Sequence, residues 1–401
     1  MNMKKYTLIV LSLFFTGCSY TNALSYFDFN NKQIKEYQNV NISLLWSADI
    51  GQARSFKTGV LQPVFSNNNA YTIDSEGLVT SIDLSSGKIK WVYDLDLDVS
   101  SGLSLHNDML FFGTNDGKYH GYKIDRLVSP HNFFTKLDIT TLFKKSSIKP
   151  DLLIQFLSEV SSPGLGMDNL IFIKLDDGNT VAVDIENSEI EWEYKGRNVP
   201  LSMKGSGSIT HLNSNLFIAR DDGNLISLKE NTGKLNWLTS ISPRSGRNEL
   251  ESLRDIEMTP VVKDGIVFAG SFQGNLIAVD TFNGNLVWSK PMSILSNIDV
   301  DAENLYVADS EGYIFALDKF SGFTKWKLEL ENNLIGTQSF SHEKYIINIS
   351  TKGHVMVIDK NEGKILSLIK MTDDIDNQTK GIITNKVLYI TSKNGRLNAI
   401  K

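Results

Sequence analysis

Along most of the chain, apolar and polar residues alternate in short runs separated by glycines, which is the period of half-buried β-strands and not of helices. Asn275-Leu276-Ile277-Ala278-Val279-Asp280 and Tyr313-Ile314-Phe315-Ala316-Leu317-Asp318 are two such runs, each ending in an acid. They belong to a pattern with a fixed ruler. A glycine stands fourteen residues before a tryptophan in Gly77 to Trp91, Gly178 to Trp192, Gly223 to Trp237, Gly274 to Trp288 and Gly312 to Trp326. A second glycine stands ten residues after the first at Gly87, Gly233, Gly284 and Gly322, and Ser188 takes that place once. The glycines supply positive φ in hairpin turns, and the aspartate closes the turn by accepting backbone N–H groups just ahead of it. Weaker copies surround Gly117, Gly353 with Gly363, and Gly395, which makes eight.

Upstream of each copy lies another pair of short strands, clearest in Thr259-Pro260-Val261-Val262, a Lys263-Asp264-Gly265 turn, and Ile266-Val267-Phe268-Ala269. Each unit therefore has four antiparallel strands, and eight such units predict an all-β fold, an eight-bladed β-propeller. The last copy starts at Gly395 and the sequence ends at Lys401, so its tryptophan strand is missing. The sixth tryptophan, Trp46, lies in the strand Asn41 to Trp46 ahead of the first copy, and this N-terminal strand is expected to pair with the C-terminal blade and close the ring. Trp46, Trp91, Trp192, Trp237, Trp288 and Trp326 are read as apolar wedges that dock one blade on the next. Two places break the ruler. Gly117 to Gly178 spans 61 residues, so an insertion is expected around 126–159, with a helical turn or two capped by Asp151 over its apolar stretch 151–157. The other surplus falls in the loop 242–255, which carries Arg244, Arg247, Glu249, Glu251 and Arg254.

Composition narrows the class. With 41% hydrophobic and 21% charged residues and a net charge of −6, the 401-residue chain is neither disordered, collagen-like nor a polytopic membrane protein. The mild acidity gives no electrostatic footprint for nucleic acid. A single cysteine forms no internal disulfide and no thiolate zinc site by itself. Its position explains it better. Lys4 and Lys5 precede an apolar run from Tyr6 to Phe15 that is too short to span a bilayer, as in a secretory signal. Phe15-Thr16-Gly17-Cys18 then resembles a bacterial lipobox, with Phe15 departing from the leucine usual there. The reading is a signal peptide over 1–17, a lipidated tether over 18–39 beginning at Cys18, and the propeller over 40–401. Ser19, where inner-membrane lipoproteins typically have aspartate, points to the outer membrane.

Catalytic signatures were sought. No phosphate-binding glycine loop, dinucleotide fingerprint or nucleophile elbow occurs in the required setting. The six histidines form no i, i+4 pair. Asp94, Asp96 and Asp98 lack the glycine of a calcium loop, having Val99 at that place, and are read as the wet face of a strand. Asp176-Asp177-Gly178 and Asp221-Asp222-Gly223 are read as hairpin turns.

The run from Ala278 to Trp288 resembles the repeat of pyrroloquinoline-quinone-type propellers. That class includes quinoprotein dehydrogenases, which hold a quinone and calcium, and the BamB family, lipoproteins of the outer-membrane β-barrel assembly machinery. Lipobox, tether, eight blades and closing strand together resemble the BamB family. Two segments carry the resemblance furthest, Pro200-Leu201-Ser202-Met203-Lys204-Gly205 and Ser252-Leu253-Arg254-Asp255-Ile256-Glu257-Met258-Thr259-Pro260. The resemblance implies a non-enzymatic scaffold without cofactor or metal, a subunit of the BAM complex anchored by lipid to the periplasmic face of the outer membrane. It implies docking of the periplasmic domains of BamA through apolar Leu201 and Met203, basic Lys204, and acidic Asp255 and Glu257. Whether nascent outer-membrane proteins are also held is left open. Read as residues alone, Leu201 and Met203 also fit a core and the two acids fit turn caps. A quinone-dependent dehydrogenase and a propeller that binds glycan or another envelope protein are the competing functions.

Overall fold

In the computed structural model, which describes residues 40–51, 54–55, 59–128, 148–197, 207–241, 258–294, 296–331, 334, 336–376, 379 and 381–401, the alternating runs form eight four-stranded antiparallel sheets. Each is a blade whose strands follow one another in sequence, from the axis outward, as in Val261–Lys263, Ile266–Gly270, Asn275–Asp280 and Leu286–Pro291 of blade 5. Blade 8 is the exception that closes the ring. Its fourth strand is Leu44–Asp49, paired antiparallel with Arg396–Ile400 through Trp46 opposite Ala399. A separate two-stranded ribbon joins Arg54–Ser55 to Gly59–Val60.

Register explains why the tryptophans recur. In blade 5, Phe268 lies opposite Ala278 and Ala278 opposite Trp288, so a small residue on the third strand lets aromatics from the second and fourth strands meet above it. Their ring centroids are 6.1 Å apart. The same row of aromatic, small residue and tryptophan recurs as Tyr71, Ser81 and Trp91, as Phe217, Ser227 and Trp237, and in blades 3, 6 and 8. Each row buries on the order of 150–250 Å² per ring, the largest apolar contribution any residue type offers.

The tryptophan also binds the neighbouring blade. Trp288 Nε1 donates to the Lys319 carbonyl at 2.8 Å, and its ring lies so close to Gly322 that a Cβ there would stand 2.8 Å from the indole. Four other clasps repeat this, Trp46 on Leu84 and Gly87, Trp192 on Glu230 and Gly233, Trp237 on Thr281 and Gly284, and Trp326 on Lys360 and Gly363. In every case the acceptor carbonyl stands three residues before the glycine. The second glycine of the ruler is thus required twice, for a φ between 62° and 75° and for the room the ring needs. Ser188 fits the rule from the other side. The blade before it presents Leu152 opposite Gly121, where six other blades have tryptophan, and no indole presses on the turn. Blade 7 likewise has buried Ser367 in that place, and the blade after it ends without a third-to-fourth-strand turn. Trp91 is the variant: the next blade replaces the turn with a short helix, Ile124–Leu127, and Trp91 packs in a cluster with Leu110, Tyr122 and Leu127.

Two expectations are corrected. The stretch read as helical after Asp151 is a strand, Leu152–Gln155, the fourth of blade 2, and the inserted chain is confined between Leu127 and Leu152. Leu152 and Ile154 are buried while Leu153 and Gln155 are exposed, a period of two that excludes a helix. Asp151 still caps, accepting the Lys123 N–H at 3.0 Å and pairing with Arg126 at 2.6 Å. Asp94 ends its strand, and Asp96 and Asp98 do not continue it. The Asp94 carboxylate accepts the Asp96 N–H, Asp96 takes a φ of 54°, and the chain folds back so that Leu97 and Val99 bond to the Glu76 and Ser75 carbonyls.

The blades define two faces. The turns between second and third strands and the blade-to-blade connections come to one, here the connection face. The turns between third and fourth strands, with their tryptophan clasps, come to the other, the clasp face. The closing strand enters from the clasp face, where the Ser43 N–H bonds to the Lys401 carbonyl.

The clasp predicts that Gly284→Ala, which forces a Cβ into Trp237, lowers stability by about 1–3 kcal/mol, while Ser188→Gly changes it by less than about 1 kcal/mol. Thermal unfolding midpoints of the two variants check this. A second expectation concerns acid. His120 is buried and stacked with Phe112 at 5.4 Å and Tyr122 at 6.2 Å, and burial pushes its pKa down to about 4. Its depressed folded pKa means that its contribution is complete above the unfolded value and is lost as pH falls towards 4. His120→Phe should therefore lose about 1–2 kcal/mol less than wild type between pH 7 and pH 4 in urea titrations.

Candidate functional site

The connection face carries the densest buried charge among the described residues, between blades 3 and 4. Lys174 ends the second strand of blade 3 and pairs with Asp221 of the next blade at 2.8 Å, with only 8% and 17% of the two side chains exposed. Arg220, which is buried, pairs with Asp222 at 3.1 Å, donates to the Gly178 carbonyl at 3.3 Å and lies over the Tyr194 ring at 5.8 Å. A small cleft opens between these groups, lined also by Asp176, Thr180 and Arg197. Buried ion pairs of this kind are held only when both partners are satisfied, and they fix geometry more than they add stability. Here they bolt the Asp-Asp-Gly turn of blade 3 to that of blade 4.

Both aspartate pairs are hairpin turns as expected: Asp177 accepts the Asn179 N–H at 2.9 Å and Asp222 the Asn224 N–H at 3.2 Å. The turn reading missed their second role across the blade boundary. Arg220 gave a signal, since the residue three before the ruler glycine is Asp74, Thr114, Ser271 or Asp309 in other blades and basic only there.

The chain leaving blade 3 runs hard against this cluster. Gly196 donates its N–H to Asn179 at 2.9 Å, and a Cβ on it would overlap the Gly178 carbonyl, so only glycine passes there. The segment carrying Leu201, Met203 and Lys204 follows, and that carrying Asp255 and Glu257 precedes Met258; all five residues lie outside the described residues, as does Cys18. Their flanks are described. The Ser208 N–H donates to Thr259 Oγ1 at 3.0 Å and Thr210 Oγ1 donates to the Pro260 carbonyl. Met258 is buried, and the Thr259 N–H bonds to Asn297 of the following connection at 3.2 Å. The ends of segments 198–206 and 242–257 are thereby held side by side on the connection face.

A quinone and calcium, as in the dehydrogenases, need a cation or carboxylate set to hold them. One opening lies beside the first strands of blades 8, 1 and 2 and is lined by Pro63, Val64, Phe65, Ser66, Asn67, Leu84, Leu105, Ile382 and Thr384. None of these is charged, and no three of the described His, Cys, Asp and Glu residues cluster to hold a metal. The donor set does not fit the group.

Comparison with known proteins agrees with this architecture. The chain is 23% identical to an outer membrane protein assembly factor BamB of Yersinia pestis over 88% of each chain. Its fold matches the crystal structure of BamB from Moraxella catarrhalis with a TM-score of 0.76 at 18% identity, covering 90% of this chain and 100% of that one. The quinohemoprotein alcohol dehydrogenase of Comamonas testosteroni shares the fold at a TM-score of 0.63 and 11% identity, over 90% of this chain and 78% of that one. The family model described as outer membrane protein assembly factor BamB matches residues 31–128 and 153–328, leaving out the inserted stretch of blade 2. Because that match covers more than half of the chain, the chain belongs to the BamB family of outer-membrane protein assembly factors.

Proposed function

We propose that this chain is an outer-membrane protein assembly factor that acts as a scaffold without catalysis, anchored by lipid at Cys18 to the periplasmic face of the outer membrane. Its partner is BamA, whose periplasmic domains dock on the connection face across segments 198–206 and 242–257. Leu201 and Met203 form the apolar centre of the contact, with Lys204, Asp255 and Glu257 as its charged rim. The observation that carries the reading is the pair of hydrogen bonds from Ser208 to Thr259 and from Thr210 to Pro260, which join the flanks of the two segments. Joined flanks bring the ends of both segments to one boundary, and the buried Lys174–Asp221 and Arg220–Asp222 pairs nearby make that boundary rigid. A rigid base lowers the ordering cost of binding. The relatives named assembly factors support the role.

Co-purification with BamA from detergent-solubilised envelopes tests the reading. Wild type should retain BamA, and Asp255→Lys with Glu257→Lys should weaken the complex at least about tenfold while keeping the thermal transition. Retention of BamA by the folded variant at wild-type level would remove these residues from the contact. Oxidation of alcohols or sugars by the purified protein on addition of quinone and calcium would overturn the scaffold.

A further inference from the structure

The clasp face carries exposed aromatic rings, whose one described polar contact is the Lys319 ammonium 4.9 Å from the Phe320 ring. In the turn between third and fourth strands the residue two places before the glycine is exposed, and in blades 1, 5, 6 and 7 the turn aspartate accepts its N–H, as Asp83 does for Ser85 and Asp280 for Phe282. This slot holds Ser85, Glu186, Asn231 and Asn361 in blades 1, 3, 4 and 7, but Phe282 and Phe320 in the adjacent blades 5 and 6. Phe282 is 91% exposed and Phe320 55%, and Phe323, just after the second glycine, is 72% exposed. Leu286, at the start of the neighbouring strand, is also exposed. Four blades form the same turn with polar residues, so these rings are not required by the fold. Clustered exposed apolar residues of this kind mark a contact surface.

The closing strand points to what covers it. The chain enters Leu44–Asp49 from the clasp face, with Leu44 and Leu45 exposed at the point of entry. A lipid at Cys18 would be separated from that point by residues 18–39, and a flexible chain of that length spans on the order of 25 Å. That length is comparable to the radius of the domain. The clasp face is therefore the one kept next to the bilayer. The three phenylalanines stand on the turns of two adjacent blades, Phe282 on one and Phe320 with Phe323 on the other. Such rings enter the headgroup and acyl boundary of a membrane without needing matched pockets.

We propose that the turns of blades 5 and 6 are a second membrane contact, in which Phe282, Phe320 and Phe323 insert into the lipid surface while the connection face is turned away from it. The proposal rests on the lipid anchor at Cys18. On that reading the single cysteine is consumed by its lipid, so a cysteine introduced elsewhere is labelled alone. The lipidated full chain would be reconstituted in phosphatidylethanolamine and phosphatidylglycerol vesicles containing a chain-spin-labelled lipid. A fluorophore would be attached at Phe282→Cys, Phe320→Cys or Phe323→Cys, and at Glu311→Cys on the connection face of blade 6.

Labels at the three turn positions should be quenched at least about twofold more than the label at Glu311→Cys, as expected of an interfacial anchor. Any one of the three positions suffices should another fail to fold. Equal quenching at Phe282→Cys and Glu311→Cys on vesicle-bound protein would overturn the proposal and leave the anchor standing. Self-quenching that rises with protein density in vesicles free of spin label would assign the patch to a second copy instead. A mass spectrum with Cys18 unmodified would overturn the anchor, and the membrane contact with it.

Discussion

The structure depends on a contact between an indole and a glycine. In five blades the outer strand carries a tryptophan that packs on the next blade, and the ring is accommodated because the facing turn has no Cβ. The ring then satisfies its N–H on a carbonyl of that turn, so one side chain contributes apolar area, close packing and a directed hydrogen bond at the same boundary. The constraint is reciprocal. Where the outer strand offers Leu152, the next turn has Ser188, and where it offers Ser367, no turn follows. The ends of the chain obey the same rule, since Trp46 completes blade 8 and clasps Gly87 of blade 1. Closure thus uses the same interaction as the four boundaries from blade 3 to blade 7 and leaves blade 8 without a missing outer strand.

A ring held in this way separates its two faces. The clasp turns are fixed by packing, whereas the connections on the opposite face are free to differ in length and composition. Between blades 3 and 4 that freedom is limited by buried ion pairs, by the close passage of Gly196 over Gly178, and by the joined flanks at Ser208 and Thr259. A partner surface placed there rests on a base that does not have to be ordered on binding.

Much of this was legible in the sequence because the ruler of glycine and tryptophan reports the blade directly. The eight units, the four-stranded blades and the closing strand at Trp46 follow from spacing alone, and the structure has each of them. Leu152–Gln155 was misread because the inserted residues displace the fourth strand of blade 2 from the ruler, leaving an apolar stretch without a marker. The strand reading of Asp94 to Asp98 failed because alternation continues past the point where an aspartate turn ends the strand. The tryptophans were legible as wedges between blades but not their hydrogen bonds to the next turn, and Arg220 was legible as an odd residue but not its partners or those of Lys174. These contacts join residues on different blades, and nothing local signals a partner 47 positions away. The five residues assigned to partner binding came from resemblance, with only their flanks described.

The central claim is that one face of the ring, at the connections of blades 3 to 5, receives BamA. Hydrogen–deuterium exchange on the full chain, alone and with the periplasmic domains of BamA, tests it most directly because it reads every turn at once. The account expects slowed exchange within 198–206 and 242–257 and unchanged exchange at the clasp turns around Gly233, Gly284 and Gly322. Protection at those clasp turns with none at the two connections would contradict it.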